Sequence, residues 1–259
     1  MKKVFIIFSI FFLLPLVVFA GVKGTKHDLT PTGATGGGKF GPYYDPNNNA
    51  ITNVCVFCHT PHAGSTTIYP LWNKNLPTGT YSMYSSSTLD ATMPSQPNDR
   101  SKICMSCHDG ISAMNVIFNA PGPGTYTPGT GGNFTKISEV YFPGTPFAWY
   151  PGANVGEMGS WNTSTVILNN DHPISMNYRS DLDSNLRTPT TTSGRTWVIN
   201  GSIKLPLYGP GTGTDAIVEC SSCHDVHDTA TYSGKGVTEV YFLRTSNVGS
   251  QMCMTCHLY

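Results

Sequence analysis

Charge is scarce in this chain. Of 259 residues only 12% are Asp, Glu, Lys or Arg, and 15 acidic and 15 basic side chains cancel to a formal charge of zero. A nucleic-acid partner calls for a basic patch or stripe, so that class is set aside. The carboxylates show no spacing that suggests paired acid and base work. Hydrophobic residues reach only 39%, while 27 Gly and 19 Pro interrupt the pattern. Beyond the first twenty residues no apolar run approaches the roughly 20 residues that cross a bilayer. Disorder is excluded from the other side. Disordered chains combine high net charge with few aromatics, and this neutral chain holds 12 Phe, 13 Tyr and 4 Trp. Something other than aliphatic side chains must organise the fold.

The amino terminus carries an export signal. Lys2 and Lys3 precede an apolar stretch from Val4 to Phe19, and Val18-Phe19-Ala20 offers a small-residue cleavage site before Gly21. The stretch is short for an uncleaved anchor, and no Cys follows it to take a lipid. Residues 1–20 are expected to be a signal peptide, and 21–259 to act outside the cytoplasm with no membrane span.

What the chain does have is cysteine in one arrangement. All eight Cys fall into Cys-x-x-Cys-His units: Cys55, Cys58 and His59; Cys104, Cys107 and His108; Cys220, Cys223 and His224; Cys253, Cys256 and His257. Two thiols at this spacing add across the vinyl groups of one haem, and the next imidazole becomes the proximal iron ligand. A disulfide framework gives no reason for a His after every pair. A zinc site would bring two Cys-x-x-Cys units about 15 to 20 residues apart, closer than any two units here. A thioredoxin-like motif would come singly in a βαβ pattern, and none is found. The expected cofactor is haem c (heme c), four copies, covalently bound.

Eight His complete the count, four of them proximal. The others, His27, His62, His172 and His227, match in number the four remaining axial positions, so bis-histidine ligation is expected throughout. The competing ligand is Met, and Met105, Met114, Met176, Met252 and Met254 lie near the attachment units; they are read as packing side chains. His62 and His227 follow their proximal His by three residues. On a helical turn such a pair shares one face, so neither can pass round its own haem, and each should reach a neighbouring one. Asp171 is a candidate acceptor to orient His172. With eight imidazoles for eight positions no iron keeps an open site, so no catalytic residue is assigned and an electron-transfer protein is expected rather than an enzyme.

The order His27, Cys55 to His62, Cys104 to His108 is matched by His172, Cys220 to His227, Cys253 to His257. The exported chain therefore reads as two loose halves, 21–120 and 165–259, joined by a Gly/Pro-rich linker region. The expected fold class is mostly irregular coil with a few short α-helices and minimal β, organised around four haems. A helix is expected over Arg100–Phe118 with Ser101 as N-cap and a break at Gly110, and short turns over Val54–His62, Val218–His227 and Ser246–His257. Thr188–Gly194 and Gly209–Gly213 read as loops, and the two "EVYF" runs, 139–142 and 239–242, as short strands. Trp72, Trp149, Trp161 and Trp197 are expected against porphyrin faces. Asn133, Asn162 and Asn200 begin triplets of the N-glycosylation form, at a frequency chance explains.

"GTKHDLT" at 24–30, "CVFCHTPH" at 55–62, "CMSCH" at 104–108, "DHPIS" at 171–175, "CSSCHDVH" at 220–227 and "CMTCH" at 253–257 together resemble the tetrahaem extracellular cytochrome filaments, or cytochrome nanowires. The resemblance implies a mostly coil subunit that polymerises head to tail outside the cell. Its haems would stack in alternating parallel and T-shaped pairs, and one axial His would cross to the adjacent subunit. Here that His would be His27, although its position in the chain suits folding back equally well. The implied partners are copies of the chain itself, redox partner cytochromes and an extracellular electron acceptor. The alternative is a monomeric periplasmic tetrahaem carrier.

Overall fold

Each attachment unit is built on one local device. The His N–H closes a single helical turn onto the carbonyl of the first Cys: His59 to Cys55 at 2.8 Å, His224 to Cys220 at 3.1 Å and His257 to Cys253 at 2.9 Å. That turn sets two thiols three residues apart on one side of the chain. The computed structural model describes residues 21–23, 25, 27–30, 51–62, 64–65, 71–77, 79–109, 116–119, 165–209, 211–228 and 242–258, with the backbone of 135–136 and 157–158. The signal peptide, Met114, Asn133, Asn162, Trp149, Trp161 and both "EVYF" runs except Phe242 lie outside them.

Among the described residues, helix α1, Asp99–His108, is the longest regular helix. It starts one turn earlier than the Ser101 cap expected: Asn98 is the N-cap, and Ser101 is a fully buried residue of the first turn. It also stops at the attachment unit and does not run on to Phe118. The β-branched pair Val116–Ile117 is taken up as strand β2, antiparallel to β3, Thr135–Lys136. Before them comes β1, Thr80–Ser82, and after them β4, Glu157–Met158, and β5, Thr165–Ile167. Strand β5 pairs in parallel with β1 and antiparallel with β4. β6, Met176–Asn177, pairs with β10, Ile217–Val218. Helices α2, Cys220–Cys223, and α3, Cys253–Cys256, are the Cys-x-x-Cys segments themselves.

The largest departure from a coil with minimal β is an antiparallel meander of β7, Thr190–Thr192, β8, Arg195–Asn200, and β9, Ile203–Leu207. The first turn has two central residues, Ser193 and Gly194, both with positive φ (52° and 73°), as a type I′ hairpin requires. The second turn is Gly201-Ser202, with Gly201 at φ 59°. Thr188–Gly194, expected as a loop, is therefore half strand. Strand β8 alternates as a one-faced strand must, with Thr196 and Val198 buried between partly exposed neighbours.

Aliphatic packing is divided into three small clusters, and an attachment-unit Cys lies against each. Ile51, Val56, Phe57 and Ile117 pack with Cys58; Tyr81, Met105, Val166 and Leu168 with Cys220; Met176, Tyr178, Val198, Leu207, Ala216 and Val218 with Cys256. Met105 and Met176 serve these clusters. The β1–β5 pair and the third cluster, which draws on Leu89 and Met93 as well as Val198, join the two halves.

Candidate functional site

Three pairs of imidazoles face each other across the chain. The ring centres of His27 and His108 lie 5.9 Å apart, those of His59 and His227 6.1 Å, and those of His172 and His257 6.4 Å. Two imidazole nitrogens each about 2.0–2.1 Å from one shared metal put their ring centres roughly 6 to 6.5 Å apart. Each pair contains one proximal and one distal candidate. His227 faces His59 of the first unit and not His224 of its own. The helical premise for that does not hold, because the chain leaves the helical turn at the proximal His: His224 has φ −113° and ψ 144°. Extended backbone carries His227 away from its own unit.

His27, which the resemblance sends to a neighbouring subunit, lies opposite His108 of its own chain and stacks on Phe242 at 4.4 Å. Burial, with the neighbouring His108, His224 and His227, lowers its pKa to about 4, so the ring is held neutral, the form that ligates iron. His172 is oriented by the Pro173 carbonyl, which accepts from Nδ1–H at 2.9 Å and leaves Nε2 for a metal. That carbonyl holds the place expected for Asp171. Among the described residues neither His62 nor His224 faces a second imidazole, and both are exposed. Protein crowding the covered side of His224, and then the His108 ring, hold its pKa below the ordinary imidazole value.

The units lie side by side in chain order. Cys58 interacts with Cys107, Cys104 is hydrogen-bonded to Cys220, and Cys223 interacts with both Cys253 and Cys256. No disulfide forms, and all eight thiols are free. Burial pushes Cys58 and Cys256 up to about 12, while the hydrogen bond between Cys104 and Cys220 raises Cys104 and lowers Cys220.

The residues fit a haem at several points. An open cavity of about 400 Å³, of ligand-site size, is lined by Asn53, Cys55, Val56, His59, Pro61 and Leu71 among others. The Trp72 ring stands edge-on to His59 at 5.9 Å, and its buried Nε1 has no protein partner. Tyr81 Oη, in the cluster with Met105, and Ser221 Oγ, inside the third unit, are also buried without one. Buried polar atoms without protein partners are what the polar edge of a bound group would satisfy. Trp197 is only partly buried on β8. Among the described residues no group of three or more His, Cys, Asp or Glu converges as a bare ion would need, and no helix is long and apolar enough to cross a membrane.

Several supporting residues carry no sequence signal. Asn73, fully buried, donates through Nδ2 to Val56 O at 2.6 Å and Asn119 O at 2.9 Å, and its Oδ1 accepts from Asn119 N–H at 2.9 Å. Asn119 in turn donates to the His62 carbonyl at 2.8 Å. Tyr178 Oη donates to the carbonyls of Arg187 and Cys256 at 2.9 and 3.0 Å, holding the fourth unit. No family model matches the chain. No curated protein matches it either.

Proposed function

We propose that the chain is an exported tetrahaem c-type cytochrome, bis-histidine at every iron, that polymerises into an extracellular filament and passes electrons along it to an external acceptor. The observation that carries the haem reading is the coincidence of four Cys-x-x-Cys-His units with three proximal–distal imidazole pairs at the separation one shared metal sets. Bound haem supplies a one-electron iron couple, and imidazole on both faces keeps its potential on the low side. The protein's part is to hold neutral imidazoles in opposition, to anchor each haem by two Cys, and to keep the four units adjacent.

His27 serves the haem of His108, His227 that of His59, and His172 that of His257. His62 is left for His224. Three pairs are preformed within one chain and the fourth is open, with exposed Leu71 beside the His62 segment and exposed Val226 beside His224. His62 of one subunit closing on His224 of the next is a heterologous contact, which repeats without closing and makes a filament. The crossing ligand is thus His62 rather than His27. The alternative, a monomeric periplasmic carrier, has His62 reaching His224 of its own chain.

The test is intact mass and haem absorbance of the exported protein, with electron microscopy of the same sample. Four covalent haems in long filaments are expected. Four haems in particles of monomer size establish the carrier, and a chain without covalent haem overturns the whole reading.

A further inference from the structure

Outside the imidazole pairs a buried carboxyl, Glu219, only 3% exposed, stands immediately before Cys220. Its side chain accepts from Ser101 Oγ at 2.5 Å, Ser175 Oγ at 2.9 Å, Asn98 Nδ2 at 3.0 Å and the Ser222 backbone N–H. These groups come from the start of α1, from the segment after His172 and from α2, so one carboxyl joins the second and third attachment units to the segment that carries His172.

Proton accounting decides its charge. Ser101 Oγ accepts from Cys220 N–H at 3.3 Å, and Ser175 Oγ accepts from Asn98 N–H at 2.9 Å. Ser101 Oγ and Ser175 Oγ each donate to Glu219 Oε2, and the other two partners can only donate. A protonated carboxyl would need an acceptor where donors stand. Glu219 is a carboxylate whose hydrogen-bond partners are all neutral, beside the contact of Cys104 with Cys220. Ser175 reaches it with a φ of 62°, a left-handed conformation unfavourable for a side-chain-bearing residue. The network holds that conformation in place.

We propose that Glu219 is a fixed negative charge between the second and third haems that lowers their potentials relative to the first and fourth. A buried anion favours the oxidised, more positive iron, and the low dielectric around it lets the effect reach further than in water. It tunes the carriers without touching iron and is a positioning residue for charge. The inference rests on the haem reading above, and the experiment separates the two.

Glu219→Gln keeps the shape and removes the charge. The measurement is a spectroelectrochemical titration of the four-haem protein at constant pH, with haem content read by mass on the same sample. The expected result is that one or two of the four one-electron steps move upward and the rest stay. On the order of a tenfold rise in the reduced-to-oxidised ratio at fixed potential equals 59 mV per one-electron step. Glu219→Asp should restore the wild-type steps. Where Glu219→Gln fails to load four haems, Asn98→Lys, which sets a cation beside the carboxylate, should shift the same steps upward. Four haems with all steps unmoved, or all four moved together, overturn the inference and leave the haem reading standing. Absence of covalent haem from the wild-type chain overturns the haem reading instead.

Discussion

His62 and His27 are the two candidates for a ligand that crosses between subunits, and single substitutions separate them. His27→Ala should leave filaments intact while one of four haems loses a ligand and shows a high-spin signal by electron paramagnetic resonance. His62→Ala should abolish filaments, because the ligand that crosses between subunits is gone. Filaments persisting in His62→Ala, or vanishing only in His27→Ala, would return the crossing role to His27. A second residue-scale prediction concerns Asn73. Its amide pairs with two carbonyls and one N–H across three segments, so Asn73→Ala leaves buried groups unpaired and should cost about 2–4 kcal/mol in denaturant unfolding of the holoprotein.

The β7–β8–β9 meander was present in the sequence as Thr-Thr-Thr-Ser-Gly-Arg-Thr-Trp-Val-Ile-Asn-Gly-Ser-Ile, two Gly-containing turns flanking an alternating β-branched run. Gly, Ser and Thr are equally the composition of loops, which hides these strands in the sequence. The same turn chemistry makes Asn200-Gly201-Ser202 a hairpin feature, with Asn200 Nδ2 donating to Met254 O at 3.1 Å, which anchors the strand to α3. Ser193 holds φ 52°, a conformation Asn tolerates better, so Ser193→Asn should stabilise by a few tenths to about 1 kcal/mol. Thermal unfolding checks it, and a lowered midpoint would contradict the type I′ assignment. Helix α1 shows the converse: the Cys-x-x-Cys-His turn was legible, but the cap was misplaced because buried Ser101 answers to Glu219, a partner 118 residues away.

The described residues hold three small aliphatic clusters, each meeting an attachment unit. Covalent haem, bound as proposed, would add buried apolar surface, each copy contributing on the order of several hundred Å². Exported chain recovered from cells lacking haem attachment should show no cooperative unfolding and little near-ultraviolet circular dichroism. A cooperative transition in that material would show that the three clusters suffice. Buried thiols such as Cys58, pushed up to about 12, are poor nucleophiles, because the thiolate is the reactive form.

Local chemistry was readable without coordinates. Each Cys-x-x-Cys-His unit lies within five consecutive residues and the apolar amino-terminal stretch within twenty, so both are read from neighbours along the chain. Which imidazole opposes which depends on contacts spanning up to 168 positions, as between His59 and His227. Nothing in the spacing of one unit encodes that separation. The pairing of His27 with His108, the chain-order adjacency of the units and the buried Glu219 network all arise from segments distant in sequence packing on one another. Only the tertiary structure could decide them.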